Sequence, residues 1–315
     1  MEKHDVIIIG GGSAGLPAAV YSARFNLKTL VLVKEMGGLL TLTHLVENWP
    51  GEIAISGFDL MEKIEKHAKS YDLVDVVGEE ALSVEKKDDQ FLVKTNKGEY
   101  TGKAVIFATG TKRKKLGVTG EKEFENKGVS YCATCDAPLY KDKVVAVVGG
   151  SDSAAKEALL LTEHCKKVYV IYRKDKIRAE PINMNRVEKV IKEGKLEVIN
   201  NTNIIEVKGE NFVNKVILDN EFNGSKELEL EGVFIEIGGI PQVSLVEGLG
   251  VELNDKKEIV INENSETSVK GVFAAGDVAN KEFKQAITGA AEGVIAAFAT
   301  YKYINEQEAK GMKMR

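Results

Sequence analysis

The sequence predicts an α/β protein of two three-layer domains, with the second domain inserted into the first. Two stretches, residues 5–25 and 143–163, each join a buried strand to a glycine-rich turn and then to a helix. That order opens a Rossmann-like βαβ unit, so each stretch predicts a nucleotide-binding domain. We expect the chain to return to the first domain near residues 236–241, once the second unit is complete.

The composition is ordinary for a globular protein and limits the classes of partner. The 315 residues suffice for about two domains, and 43% of them are hydrophobic. A net charge of -5 argues against general binding of nucleic acid. We expect no signal peptide and no membrane span, because the first strand begins at once and no apolar run is long enough. Only three cysteines are present, which suits a cytoplasmic protein.

The first glycine-rich turn follows the strand at residues 5–9 and has the form GxGxxG. Gly10 makes the tight turn and Gly12 lets a pyrophosphate approach the backbone. Gly15 lets the helix at residues 16–25 pack closely on the strand. The turn therefore predicts a dinucleotide site.

Residues around this turn complete the predicted site. The backbone at Ser13 and Ala14, where the helix starts, would help to hold the phosphate. Glu35 lies 20 residues after Gly15, beyond the second strand, where an acid can bind ribose hydroxyls. Glu35 could equally be an ordinary exposed turn residue that binds nothing.

The second strand–turn–helix unit differs from the first at its turn. The turn after residues 143–148 consists of Gly149, Gly150, Ser151, Asp152, Ser153 and Ala154. Ser151 stands at the position of the middle glycine of the GxGxxG pattern, and its Cβ crowds the position where the pyrophosphate meets the backbone. Asp152 adds an acid nearby. We still expect this turn to bind a nucleotide.

Three cations follow the next strand, residues 168–172: Arg173, Lys174 and Arg178. An acid at the end of this strand would favour NAD, whereas cations accommodate a 2′-phosphate. The cluster therefore favours NADPH, although surface cations are common and these three could simply be solvated.

Between the two units lies Cys132-Ala133-Thr134-Cys135-Asp136. A thiolate is the nucleophile in disulfide exchange, and CxxC spacing favours thiolate formation. Asp136 offers a proton beside the pair. The alternatives are two unrelated core cysteines or half of a zinc site, but zinc needs about four ligands. Only Cys165 and four scattered histidines remain for that role, so we predict a redox pair and no metal.

Two motifs together indicate a family. Val46-Glu47-Asn48-Trp49-Pro50-Gly51 combined with the CxxC motif resembles the low-molecular-weight thioredoxin reductases, which are FAD-containing pyridine-nucleotide disulfide oxidoreductases. The resemblance runs nearly from end to end. It implies further FAD contacts at Gly38, Leu39, Asn48, Ala108, Thr109, Gly110, Gly276, Asp277, Lys284, Gln285 and Ala286. Leu39 stands where the family usually has Gln, and Glu157 falls where the family has an acid near the nicotinamide.

The resemblance also implies an organisation and a reaction. Residues 1–115 and 243–315 form the FAD-binding domain, and residues 116–242 form the NADPH-binding domain that carries the CxxC pair. NADPH reduces FAD, and FAD reduces the disulfide through Cys135. Cys132 then attacks the disulfide of a thioredoxin or glutaredoxin-like protein, with Asp136 as general acid and base. The family further suggests a homodimer.

Several alternatives stay open at this point. The donor could be NADH, a ferredoxin or a deazaflavin instead of NADPH. Electron flow could run in reverse, in a flavin-dependent dithiol oxidase that uses oxygen. A nucleotide-sensing protein is a further possibility, against which the CxxC pair and Asp136 argue.

Overall fold

A computed structural model describes residues 2–313 of the chain. The chain divides into two compact units. Unit 1 combines the chain up to Lys112 with the chain from Ile240 onward, and unit 2 spans Arg113–Gly239.

The described residues form seventeen strands and six α-helices. In chain order the strands are β1 (Glu2–Ile9), β2 (Thr29–Leu32), β3 (Val74–Val77), β4 (Ala81–Lys87), β5 (Gln90–Thr95), β6 (Glu99–Phe107), β7 (Thr111–Arg113), β8 (Val129–Ser130), β9 (Val144–Val148), β10 (Lys167–Ile171), β11 (Leu196–Ile199), β12 (Ile204–Gly209), β13 (Val213–Phe222), β14 (Ser225–Glu229), β15 (Gly232–Ile235), β16 (Gly239–Pro241) and β17 (Val272–Ala274). The helices are α1 (Gly15–Arg24), α2 (Gly57–Lys69), α3 (Ala133–Asp136), α4 (Asp152–His164), α5 (Pro181–Lys192) and α6 (Ala286–Lys313).

Unit 1 is built on a seven-stranded sheet in the order β3-β2-β1-β6-β5-β4, with β17 also paired to β6. The pairs among β1, β2, β3, β6 and β17 are parallel, whereas β4 and β5 add an antiparallel edge. Side chains of β1 alternate between two cores: Val6 and Ile8 pack in one, and Ile7 and Ile9 in the other. A sheet covered on both faces explains why residues 6–9 of β1 form a continuous apolar run.

Unit 2 repeats this arrangement around a five-stranded parallel sheet in the order β11-β10-β9-β15-β8. Along β9, Val145 and Val147 face one core while Ala146 and Val148 face the other. An antiparallel sheet of β12, β13 and β14 covers the second face. The carboxyl ends of β9 and β10 lie side by side, which is where ligands bind in open α/β sheets.

The predicted fold class is confirmed: two Rossmann-like three-layer domains, the second inserted into the first in chain order. Helix α4 begins at Asp152, inside the stretch 149–154 that was predicted as a turn, because Ser151 caps the helix through its side chain. The antiparallel sheet of unit 2 was not predicted, although its strands partly alternate polar and apolar residues as half-buried strands do. None of the helices within residues 2–313 is both long and apolar enough to span a bilayer.

Candidate active site

Cys132 and Cys135 are joined as a disulfide across the first turn of α3. Strand β8 ends at Ser130, and Cys132 then takes an extended conformation as the N-terminal cap of the short helix. The Cys132 sulfur accepts a hydrogen bond from the backbone N–H of Cys135 at 3.2 Å. A thiolate released at Cys132 would keep that donor and the positive end of the helix turn.

Asp136 is the last residue of α3, so the same helix turn that carries the disulfide also places the Asp136 backbone. The hydroxyl of Ser130 donates a hydrogen bond to Oδ2 of Asp136 at 2.6 Å. Ser130 itself is buried, with 4% of its surface exposed. Ser130 was not predicted as a site residue, although it stands two residues before the first cysteine.

The segment before the disulfide is anchored by a buried carboxylate, Glu121. Glu121 accepts hydrogen bonds from the backbone N–H groups of Leu116 and Gly117 and from the Tyr131 hydroxyl at 2.8 Å. Burial and the hydrogen bond to Glu121 raise the pKa of Tyr131, so the phenol stays protonated as a donor. The residue that precedes Cys132 is therefore held in place.

The second glycine-rich turn lies between β9 and α4 of unit 2. A Cβ at Gly149 would overlap the carbonyl oxygen of Glu236, and a Cβ at Gly150 would overlap the ring of Tyr172. Ser151 directs its hydroxyl to the backbone N–H of Ala154, at 3.5 Å, and Ser153 follows in the first turn of α4. The Ser151 hydroxyl therefore already accepts a hydrogen bond from one of the backbone N–H groups that this turn could otherwise offer to a phosphate.

The Asp152 carboxylate is bonded to residues at the start of α5. Its Oδ1 accepts from the backbone N–H of Glu180 at 2.9 Å and from Nδ2 of Asn183 at 2.8 Å. Lys156 lies 3.0 Å from Oδ2. Burial would raise the pKa of Asp152, but these donors outweigh it and hold the pKa below its usual range. The charge of Asp152 is thus compensated within the protein.

The predicted cation cluster is exposed and lies beside this turn. Arg173, Lys174 and Arg178 follow β10 and are all solvent-accessible. The backbone N–H of Arg178 donates to the carbonyl oxygen of Gly150 at 2.7 Å, which brings the cluster next to the glycines. The parallel pairing of β9 and β10 sets this proximity.

Glu157, whose side chain is 12% exposed, belongs to an ion cluster that the sequence did not reveal. Its Oε1 lies 3.4 Å from the Arg113 guanidinium, which also contacts the carboxylate of Glu236. Two carboxylates thus share one cation at the carboxyl ends of β9 and β15. Burial raises the pKa of Glu157 to about 7, and the attraction of Arg113 opposes that rise. Neither Arg113 nor Glu236 belongs to a recognisable motif, so only the folded chain reveals the cluster.

We expect Glu157 to make stability fall as the pH rises from about 4.5 to about 7. The folded protein holds a proton on Glu157 that the unfolded chain releases in this interval, so raising the pH favours unfolding. Each pH unit contributes about 1.4 kcal/mol at most, giving roughly 3 kcal/mol in all. Thermal unfolding at pH 5 and pH 7 should therefore show a smaller decrease in Tm for Glu157→Gln than for the wild type. Glu163→Gln, an exposed residue on the same helix, is the control, and equal decreases in all three proteins would contradict the assignment.

In unit 1 the first glycine-rich turn packs against the strand end that carries Ala108. Gly10 has φ +118°, and a Cβ there would overlap the Ala108 carbonyl oxygen. A Cβ at Gly15 would overlap the carbonyl oxygen of Gly10. At Gly12, by contrast, the nearest atom to such a Cβ is the Gly37 oxygen at 3.8 Å, so the backbone is open to a ligand.

The C-terminal glycine motif meets this first turn. Gly276 lies against Ala14, and a Cβ at Gly293 of α6 would overlap the Ala14 carbonyl oxygen. The backbone N–H of Gly276 donates to Oε2 of Glu292 at 2.8 Å. Burial raises the pKa of the adjacent Asp277, and Lys284 opposes that rise. Glu292 was not predicted, because its partner lies 16 residues away and only the packing of α6 brings them together.

Two of the other predicted FAD residues, Asn48 and Gln285, are brought together, and Thr109 has a partner that was not predicted. Asn48 Nδ2 lies 3.1 Å from Gln285 Oε1, across 237 residues of sequence. The Thr109 hydroxyl donates to the backbone oxygen of Gln242 at 2.7 Å. Gly110 follows Thr109, and Ala286 begins α6 directly after Gln285.

The remaining predicted FAD residues have other surroundings. Lys284 contacts Glu258 at 2.6 Å and the Asp277 carbonyl oxygen at 2.8 Å. Gly38 and Leu39 form a 3-10 turn, where Leu39 is 38% exposed. Glu35 is exposed beyond the end of β2.

The arrangement in unit 1 fits a dinucleotide of the FAD type. The open backbone at Gly12 offers room for a pyrophosphate at the start of α1. The motif around Asp277 converges on the same helix start. No group of three or more His, Cys, Asp or Glu in the described part of the chain is arranged to hold a metal ion. Cys165 is buried, and burial raises the pKa of its thiol to about 11.

Comparisons with known proteins agree with this geometry. Residues 4–293 match the pyridine nucleotide-disulphide oxidoreductase family. The chain is 40% identical over 305 residues to the thioredoxin reductase of Treponema pallidum (strain Nichols), which covers 96% of this chain and 97% of that protein.

Solved structures give the same result. Thioredoxin reductase from Lactococcus lactis superposes with a TM-score of 0.91 at 35% identity, over 96% of this chain and 99% of that one. A ferredoxin-flavin thioredoxin reductase from Clostridium acetobutylicum gives a TM-score of 0.53 at 31% identity, over 97% and 99%. The chain belongs to the pyridine nucleotide-disulphide oxidoreductase family, as a flavoprotein disulfide reductase.

Proposed function

We propose that this protein is a thioredoxin reductase that passes two electrons from NADPH, through FAD, to the Cys132–Cys135 disulfide and on to a thioredoxin or glutaredoxin-like protein. The observation that carries the proposal is the disulfide on the turn of α3, followed directly by Asp136, whose carboxylate accepts a hydrogen bond from Ser130. The names of the relatives support thioredoxin as the partner.

Each unit has a part in this proposal. In unit 1 the stretches 10–15, 108–110 and 276–286 would hold FAD, with Asn48 and Glu35 as further contacts. When bound, FAD accepts a hydride from the nicotinamide and delivers two electrons to a disulfide. Unit 2 would hold NADPH and presents the disulfide on α3.

The exchange step depends on the order in which the two cysteines react. Two-electron reduction of the disulfide, with electrons that bound FAD would supply at Cys135, breaks the S–S bond and leaves both sulfurs as thiolates. The Cys132 thiolate then takes a proton from Asp136. To reduce the partner, Asp136 takes that proton back and the Cys132 thiolate attacks one partner sulfur. The partner's S–S bond breaks and its second sulfur leaves as a thiolate. Cys135 then attacks the Cys132 sulfur, which restores the disulfide and releases the partner's first sulfur. The two partner sulfurs take one proton from Asp136 and one from water, which completes the dithiol.

NADPH as the donor is supported by the charges around the second glycine-rich turn. Arg173, Lys174 and Arg178 are exposed next to Gly150, where the 2′-phosphate of a nucleotide on this turn would lie. The acid at Asp152 is compensated by Lys156 and two hydrogen-bond donors, so it does not repel the nucleotide strongly.

We expect NADPH to be preferred over NADH by at least about tenfold in kcat/KM. Charge-assisted contacts contribute about 1.5–3 kcal/mol each, and 1.4 kcal/mol is a factor of ten. Anaerobic stopped-flow reduction of the protein-bound flavin by each nucleotide measures the preference. The double variant Arg173→Glu with Lys174→Glu should erase it. Lys189→Glu with Lys192→Glu makes the same change of charge on the exposed end of α5 and should leave it intact.

A second candidate changes the donor and keeps the rest of the reaction. The similarity to the ferredoxin-flavin enzyme of Clostridium acetobutylicum favours a ferredoxin-type donor as this alternative. The Ser151 hydroxyl, bonded to an amide of the phosphate-binding turn, is consistent with weak nucleotide binding. Reduction by a ferredoxin or a deazaflavin, with none by either nucleotide, would establish the alternative. Equal rates of flavin reduction by NADPH and NADH would refute only the assignment of the cation cluster to a 2′-phosphate and would leave the rest of the proposal standing.

The cellular setting and assembly belong to the same proposal. Three cysteines, two of them in the CxxC pair, suit a reducing compartment better than a disulfide scaffold, which supports a cytoplasmic protein. We propose a homodimer from the resemblance to the thioredoxin reductases. Analytical ultracentrifugation of the FAD-loaded protein tests it, and a monomer at micromolar concentration would refute it.

A further inference from the structure

Ser130 is a buried polar residue next to the redox pair that the reaction described above does not use. It ends strand β8, where its backbone is in register with Phe234 of β15. Only 4% of its surface is exposed. Because the backbone is fixed by the sheet and the side chain by burial, the position of the hydroxyl is set before any partner binds.

The Ser130 hydroxyl joins the cysteine pair to the carboxylate. Its oxygen accepts a hydrogen bond from the backbone N–H of Cys132 at 3.1 Å. Its proton has two acceptors in reach: Oδ2 of Asp136 at 2.6 Å and the Cys132 carbonyl oxygen at 3.4 Å. A hydroxyl has one proton to donate, and the shorter contact to the carboxylate takes it.

We propose that Ser130 is a positioning residue for the disulfide exchange, which acts by holding the Asp136 carboxylate in one rotamer beside the cysteines. This inference rests on the proposed role of Asp136 as the general acid and base. Asp136 lies at the end of a four-residue helix and is half-exposed, so its side chain has few other constraints. The bond to Ser130 selects one orientation and ties it to the backbone of Cys132.

The proton transfer explains why orientation matters. When the S–S bond breaks, the electron pair stays on the leaving sulfur, and a proton moves from Asp136 to that sulfur. The reverse proton transfer starts the attack on a new disulfide. A general acid has to lie within hydrogen-bond reach of the sulfur, and a displacement of about 1 Å can cost roughly 100-fold in rate.

The test is a double-mutant cycle of Ser130→Ala with Asp136→Asn. The measurement is the rate at which excess dithiothreitol reduces the Cys132–Cys135 disulfide of the FAD-loaded protein, followed by alkylation and mass spectrometry. This readout needs neither the physiological donor nor the partner. We expect Ser130→Ala to slow reduction about 10- to 100-fold in the wild-type background and by less than about twofold in the Asp136→Asn background. Ser130→Thr, which keeps the hydroxyl, should restore most of the rate.

Controls separate positioning from folding. Thr202→Val removes another buried hydroxyl of unit 2, which donates to the Asn200 carbonyl oxygen, and should leave the rate unchanged. Flavin content and Tm of each variant report whether it folds. Equal slowing by Ser130→Ala in both backgrounds, or no slowing at all, would overturn the proposal while leaving Asp136 as the acid. An Asp136→Asn variant that reacts at the wild-type rate would overturn both the acid–base role and the role of Ser130.

Discussion

Replacing either Cys132 or Cys135 with serine should reduce turnover of a thioredoxin disulfide to the background rate. Neither variant can form the intramolecular disulfide that receives two electrons, so electrons have no route to the partner. Both variants should still bind FAD, because the residues that would hold the flavin lie in unit 1 and the cysteines lie in unit 2. Reduction of oxidised thioredoxin, measured with the donor that reduces the wild type, gives the result.

The two serine variants should then differ in a second measurement. The Cys135→Ser variant keeps Cys132 and lacks the thiol that resolves a mixed disulfide, so it should accumulate a covalent complex with thioredoxin. The Cys132→Ser variant should not. Cys165→Ser should behave as the wild type, because burial raises the pKa of the Cys165 thiol to about 11. If only the Cys132→Ser variant formed a covalent complex, Cys135 would be the attacking thiol and Cys132 the resolving thiol.

Two structural features bear on this assignment in opposite directions. Cys132 caps α3 and accepts the N–H of Cys135 at 3.2 Å, which stabilises a thiolate at Cys132. Cys135 is the more exposed of the two, so accessibility alone would select Cys135 as the attacking thiol. We assign the attack to Cys132 because a nucleophile needs the thiolate form, and the resemblance to thioredoxin reductases points the same way.

The sequence was most informative where chemistry requires one residue type at a fixed spacing. Gly10 and Gly15 could be recognised because a Cβ at either position would overlap backbone oxygens. Buried strands such as β1 and β9 could be recognised because sheets covered on both faces need continuous apolar runs. Together these patterns were enough to predict two Rossmann-like units and their order.

The sequence was least informative where function depends on contacts between distant residues. Arg113, Glu157 and Glu236 come from three separate stretches, and only the folded sheet of unit 2 gathers them. Glu292 contacts Gly276 through the packing of α6 on α1. Asp152 could be recognised as an acid near a predicted phosphate site, but its partners Glu180 and Asn183 lie at the start of α5 and could not be inferred.

Ser130 is an intermediate case. It stands only six residues before Asp136, yet serine is common at strand ends and carries no motif by itself. Its role depends on β8 ending at Ser130, so that the chain turns directly into α3 and brings residues 130 and 136 together.

Asp136→Asn should slow the reduction of thioredoxin by roughly 10²–10⁴-fold, the range expected when a general acid and base is lost. Asparagine keeps the size of the side chain and can still accept the Ser130 hydroxyl proton, so the fold and flavin content should be unchanged. The loss should fall on kcat and on the disulfide-exchange step, and the rate at which the donor reduces the flavin should stay the same. Asp142→Asn, an exposed acid six residues further on, is the matched control and should retain full activity. Wild-type turnover in Asp136→Asn would mean that the carboxylate only shapes the turn after the cysteines, and another group would have to protonate the leaving thiolate.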